Sequence, residues 1–117
     1  MLAKVNRLVK ATEYRLVMRR GQRRTQRHFI GFQYWQDSSY PARIGLVVPK
    51  KSVRLATRRN LVKRRLRGAV REHLGEFPPG SLTVFLARPA ADKVAYRELD
   101  SQLESLIAGW QRPQQKN

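Results

Sequence analysis

The sequence predicts an α+β fold, a single small domain with helices on a small mixed sheet, in the order α-β-β-(β)-α-β-α. Two segments alternate apolar and polar residues at strand spacing and a third is a short apolar run, while three more repeat apolar residues at helical spacing. At 117 residues the chain is long enough for one core and too short for two. One domain over 1–117 is expected, with 1–6 and 111–117 as loose tails.

Taken in order, residues 1–11 are basic and short on pattern, though Leu8 and Val9 can tuck against the body. With Thr12 as N-cap, Tyr14, Val17 and Met18 at i, i+3 and i+4 predict a short helix closed by Gly21 at C′. QRRTQR (22–27) reads as a basic connection. His28 to Gln36 reads as a strand with His28, Ile30, Phe32 and Tyr34 on one face, DSSYP (37–41) as a turn, and Arg43 to Pro49 as a second strand. Glycines at 31 and 45 inside these strands predict a bulge or a close approach by another element.

A basic helix is expected from about Leu55 to Leu74, ended by Gly75, Pro78, Pro79 and Gly80. Gly68 in its interior costs about 1 kcal/mol against Ala, through close packing or simple tolerance. SLTVFLA (81–87) is a third strand. A last helix from about Asp92 to Trp110 buries Tyr96, Leu99, Leu103, Leu106, Ile107 and Trp110. If the strands flanking the basic helix are parallel, they form a βαβ crossover, which general chirality predicts to be right-handed.

Charge points to the partner. The formal net charge is +17, and residues 50–72 hold ten of the 25 Lys and Arg against one acid, Glu72, where an even spread puts about five. On a helical projection Val62, Leu66, Ala69, Val70, Leu74 and Phe77 form an apolar arc. Asn60, Lys63, Arg64, Arg67 and Arg71 form a stripe beside it. An ordinary solvated face intersperses acids for i,i+4 support; this stripe has none to pair with, so a polyanion is the expected partner. Nucleic acid is favoured over an anionic membrane, because no stretch approaches the roughly 20 apolar residues of a span. Four of the eight acids (Asp92, Glu98, Asp100, Glu104) fall in the last segment, which polarises the chain away from nucleic acid there.

Protein-only catalysis is poorly supported. There is no cysteine, and the two histidines, His28 and His73, are not paired by spacing. Glu72 and Glu76 sit at i,i+4 but balance local charge rather than hold a metal. No catalytic residue, protein-held metal or organic cofactor is expected. The start of the chain lacks an apolar signal region, so a cytoplasmic location is expected. What remains is binding: Tyr14, Phe29, Phe32, Tyr34 and Trp35 lie near the basic residues 19–27, the combination that stacks single-stranded bases. Phe29 and Trp35 read as core, whereas for Tyr14 and Phe32 the pattern leaves core and stacking open.

RRNLVKRRLRGAVRE resembles the Arg-Asn-x-x-Lys-Arg-x-x-Arg helix of the bacterial ribonuclease P protein subunit. NRLVKATEYRLVMRRG, RIGLVVPKK and LTVFLARPAA resemble that family's opening helix, the strand into its basic helix, and its last strand and turn. The resemblance implies a left-handed βαβ crossover (a ribosomal protein S5 domain 2-like fold) and an RNA subunit that carries catalysis and Mg²⁺ and removes the 5′ leader of precursor tRNA. By matching positions, Arg59, Asn60, Lys63, Arg64 and Arg67 contact the RNA subunit, with Arg71 an extension drawn from the stripe itself. Tyr14, Phe32, Lys51, Ser52 and Arg88 match the leader-binding cleft. Met18 stands where relatives often carry a second aromatic, which puts its part in the cleft in doubt, and Gly68 stands where many have Glu. No obligate protein partner is implied. A small ribosomal protein shares the charge and fold without needing an aromatic cleft, and a helix-turn-helix DNA reader needs two adjacent short helices that the flanking strands exclude.

Overall fold

The computed structural model describes residues 2–36 and 39–110. Helix α1 spans Ala11–Arg20, β1 Gln22–Thr25, β2 Phe29–Trp35, β3 Arg43–Val47, α2 Ala56–Glu72, β4 Ser81–Ala87 and α3 Tyr96–Gly109. The strands form one sheet in the order β1-β2-β4-β3, with β3 and β4 parallel and the other pairs antiparallel. The α+β expectation and all three helices hold.

The hand of the crossover follows from amino-acid chirality. On a strand running upward, an L-residue whose side chain faces the viewer sends its own N–H and C=O to the right. Ile44 packs its side chain into the α2–α3 layer, and its carbonyl accepts the Leu8 N–H at 3.0 Å, on the edge away from β4. Viewed from the helices, β4 therefore lies to the left of β3, and the path through α2 is left-handed. The general right-handed rule fails here, and the hand implied by the resemblance holds.

Two apolar clusters lie on opposite sides of the sheet. Phe29, Phe85 and Ile44 join Val62, Leu66, Ala69 and Val70 of α2 and Leu99, Leu103 and Leu106 of α3. On the other side Leu8 and Val17 meet Phe32, Leu82 and Val84, with Tyr14, Met18, Ile30, Tyr34, Val47 and Leu86 only partly buried. Both strand glycines mark close approach rather than bulges. A Cβ at Gly31 would stand 2.6 Å from the Trp110 ring, and one at Gly45 2.4 Å from the Tyr14 ring.

Several local expectations need correction. Residues 22–25 form an edge strand, not a connection; all four are exposed, so no alternation announced them. Thr12 lies inside α1, and Lys10 holds the N-cap position without a side-chain cap. Gly21 follows α1 at φ −70°, outside the left-handed region; what demands glycine is proximity, since a Cβ would stand 2.5 Å from the Val17 carbonyl oxygen. Residues 91–93 form a separate turn, so α3 starts at Tyr96, which is 37% exposed and outside the buried stripe. Leu8 is buried but Val9 is exposed. Within residues 2–6, Leu2 is buried and the Asn6 side chain donates to the Ala42 carbonyl at 2.8 Å, while Ala3, Lys4 and Val5 are exposed. The 111–117 tail and part of the 37–41 turn lie outside the described residues.

Candidate RNA-binding surfaces

Helix α2 buries Val62, Leu66, Ala69 and Val70, which fixes the direction of every cation on it. Three arginines are engaged internally. Arg58 pairs with Asp92 at 3.1 Å and donates to the Asp92 carbonyl at 2.8 Å, while Arg65 donates to the Val94 carbonyl at 2.9 Å. Arg59 reaches back to the Val53 and Arg54 carbonyls at 3.1 and 2.6 Å, so its stem carries it round the edge of the apolar arc. It ties the loop ahead of α2 to the helix.

Lys63, Arg64, Arg67 and Arg71 make no hydrogen bond or ion pair among the described residues, and all but the half-buried Lys63 are exposed. Asn60 is exposed at the head of the same stripe. Lys63 and Arg67, with Arg7, border a recess of about 140 Å³ at the β3 edge, floored by Leu8, Ile44 and Leu46. Four like charges on one helix whose single acid is the terminal Glu72 repel one another, a repulsion that an external polyanion would relieve.

Strand register places the second group of candidates. One row crosses the sheet as Arg23, Phe32, Val84 and Gly45, with the Tyr14 ring lying against Gly45. Tyr14 and Phe32 are thus brought to one face, two strands apart, about 10 Å. The Tyr14 hydroxyl donates to the Leu8 carbonyl at 3.1 Å; burial raises its pKa above the ordinary value, against the Leu46 N–H that it accepts. Phe32 is only 7% exposed, and the Arg23 guanidinium stands 6.0 Å from its ring centroid. Met18 packs at the edge of the same cluster.

The next row is Thr25, Ile30, Leu86 and Val47, whose three apolar members are all half-buried. Beyond it, at the ends where the parallel strands β3 and β4 finish, come Lys51, Ser52 and Arg88. Lys51 is exposed, and the Ser52 N–H closes a turn on the Pro49 carbonyl at 3.0 Å. Arg88 donates through its backbone to the His28 carbonyl and through its guanidinium to the Gln26 carbonyl, each at 2.9 Å. Tyr14, Phe32 and Arg88 therefore border a half-open apolar strip, while Lys51 and Ser52 lie in the turn after β3, where Ser52 lines a recess with Arg58, Ala90 and Asp92. Ile30, Leu86, Val47 and Arg23 were missed as site residues, because only register shows that they share this face.

The histidines are structural. His28 accepts a hydrogen bond from the buried Gln102 side chain at 3.0 Å. His73 faces Glu76 through Nδ1 and Asp100 through Nε2, the latter at 3.0 Å, joining the end of α2 to α3. Burial opposes its protonation, but the hydrogen bonds and charges of the two carboxylates outweigh it and raise the pKa. Ligand atoms of His73, Asp100 and Glu104 lie within 4.8 Å of one another, yet His73 is already held by its two carboxylates.

Comparison with known proteins agrees with this geometry. The Ribonuclease P family model matches residues 2–111. The chain belongs to the ribonuclease P protein family. Among curated relatives, the ribonuclease P protein component of Clavibacter michiganensis is 33% identical over 107 residues, covering 92% of this chain and 94% of the relative. That of Thermobifida fusca is 36% identical over 121 residues, covering 97% of this chain and 81% of the relative. The RNase P protein of Thermotoga maritima, solved with 1-(4-fluorophenyl)-2-thiourea, superposes with a TM-score of 0.79 at 26% identity, covering 90% of this chain and all 100% of that one. An RNase P protein from Staphylococcus aureus shares the fold at a TM-score of 0.80 and 23% identity, covering 90% and 87% of the two chains. Among the described residues of this member of the family, no helix is long and apolar enough to cross a membrane.

Proposed function

We propose that this chain is the protein subunit of ribonuclease P, binding a catalytic RNA through α2 and the single-stranded 5′ leader of precursor tRNA through the half-open face of the sheet. Family membership supports the subunit role, and the observation that carries the division of labour is the set of four unpaired cations, Lys63, Arg64, Arg67 and Arg71, on a helix whose other arginines are spent internally. A ribosomal role is not favoured by the relatives. Asn60 extends the same contact, while Arg59 acts chiefly by holding the loop that carries Lys51 and Ser52.

Catalysis is assigned to the RNA. The potential ligand group His73, Asp100 and Glu104 sits where α2 meets α3, with His73 held between Glu76 and Asp100, and Mg²⁺ is assigned to the RNA subunit and substrate. The expected setting is the cytoplasm. Reconstitution tests the reading: the protein should promote cleavage of precursor tRNA by the RNA subunit at low Mg²⁺ and cut nothing alone. Site-specific cleavage by rigorously RNA-free protein would overturn it.

A further inference from the structure

Resting on that reading, the geometry narrows which side chain meets a leader base. Phe32 matches the family's cleft but offers almost no free ring: it is 7% exposed, walled by Leu8, Val17, Leu82 and Val84. What lies over the ring is Arg23, its direct partner in the β1–β2 register, with the guanidinium carbon 6.0 Å from the ring centroid. Arg23 is itself exposed and has no ion pair among the described residues. Its β1 neighbour Arg24 points the other way, against Gly109 of α3, so Arg23 is the β1 cation that the sheet directs onto the half-open face.

We propose that Arg23, seated over Phe32, is the base-stacking platform of the leader cleft, with Phe32 as its buried support. A guanidinium is planar and weakly hydrated, so one face can rest on an aromatic quadrupole while the other receives a nucleobase. The same group keeps its positive charge available to the flanking phosphates. Phe32 thereby serves binding without being exposed, which accounts for an aromatic at a leader-cleft position that is otherwise core. Ile30 and Leu86, half-buried one row further along, continue an apolar path from Arg23 toward Arg88.

The test uses the reconstituted holoenzyme and precursor tRNA carrying 2-aminopurine at single leader positions, with wild type, Arg23→Lys and Arg23→Ala compared for fluorescence quenching, affinity and salt dependence. Wild type should quench the probe at one leader position. Arg23→Lys, which keeps the charge but not the plane, should retain the salt dependence and lose the quenching. Arg23→Ala should lose the quenching and bind leader-bearing tRNA about ten-fold more weakly, with mature tRNA unaffected. Because Arg23 is exposed, unchanged thermal unfolding should accompany both variants. Quenching that persists in both, or tighter leader binding by Arg23→Ala, would overturn the proposal, the second showing that Arg23 merely blocks Phe32. A wild-type holoenzyme that does not distinguish leader-bearing from leaderless tRNA would instead refute the underlying reading, and this proposal with it.

Discussion

The two faces of the sheet are built from alternate residues of the same strands, yet they are finished differently. On one, α2 and α3, 17 and 14 residues long, cover Phe29, Phe85 and Ile44 and leave them at most 2% exposed. On the other, α1 has ten residues, about 15 Å of helix, set against central strands of seven residues that run about 23 Å. It covers Phe32, Leu82 and Val84 and stops short of Ile30, Leu86 and Val47. Helices thus close over the apolar residues on one side of this sheet, while on the other a short helix leaves Ile30, Leu86 and Val47 half-buried, the strip proposed above to take the leader.

Removing a large residue from each face should separate these roles. Phe85→Ala is expected to cost about 3–5 kcal/mol of folding stability, whereas Leu86→Ala, its half-exposed neighbour, should cost about 1 kcal/mol. Denaturant unfolding of the pair decides it, and equal losses would erase the distinction between the faces.

The second contrast lies on α2, between arginines spent internally and cations left free. Replacing Arg64 and Arg67 together with Ala should change stability by no more than about 0.5 kcal/mol. The log-log salt slope of RNA-subunit binding should fall by somewhat under one unit for each lost phosphate contact, measured by titration at several salt concentrations. An unchanged slope with unchanged affinity would place the stripe in solvent.

Smaller effects test how tightly the covered side is assembled. A Cβ at Gly68 meets only the Tyr96 side chain, its hydroxyl nearest at an ordinary 3.5 Å, so the glycine is tolerated rather than required. Gly68→Ala should therefore stabilise the protein by about 1 kcal/mol, read as a rise in Tm. His73 supplies a pH-dependent tie between α2 and α3. Its folded-state pKa is raised, so its contribution is fully present below its ordinary value of 6.5 and is lost as pH rises through the folded value. The stability gap between wild type and His73→Ala, under about 1 kcal/mol, should thus be larger near pH 6 than near pH 9.

Helices α2 and α3 were legible because their apolar spacing is regular and long, and 81–87 because Leu82, Val84 and Leu86 alternate onto one face between turn residues. Strand β1 was not, since an exposed edge strand of Gln, Arg, Arg and Thr has no inside to record. The cationic stripe could be read from a helical projection, but the engagement of Arg58 and Arg65 could not. Their partners, Asp92 and Val94, lie about 30 residues away and meet them only once β4 has returned through the sheet. The same limit hid Arg23: pairing it with Phe32 needs the register of a strand that the pattern did not show.

The absence of cysteine from the chain allows the most direct test of the two-face account. A single photo-crosslinking group can be attached at Val47→Cys on the half-open strip or at Ser101→Cys on the exposed side of α3, in the holoenzyme with precursor tRNA. The account predicts crosslinks from position 47 to leader nucleotides, none of them from position 101, and none from position 47 when the tRNA lacks a leader. Leader crosslinks from position 101 with none from position 47 would contradict it.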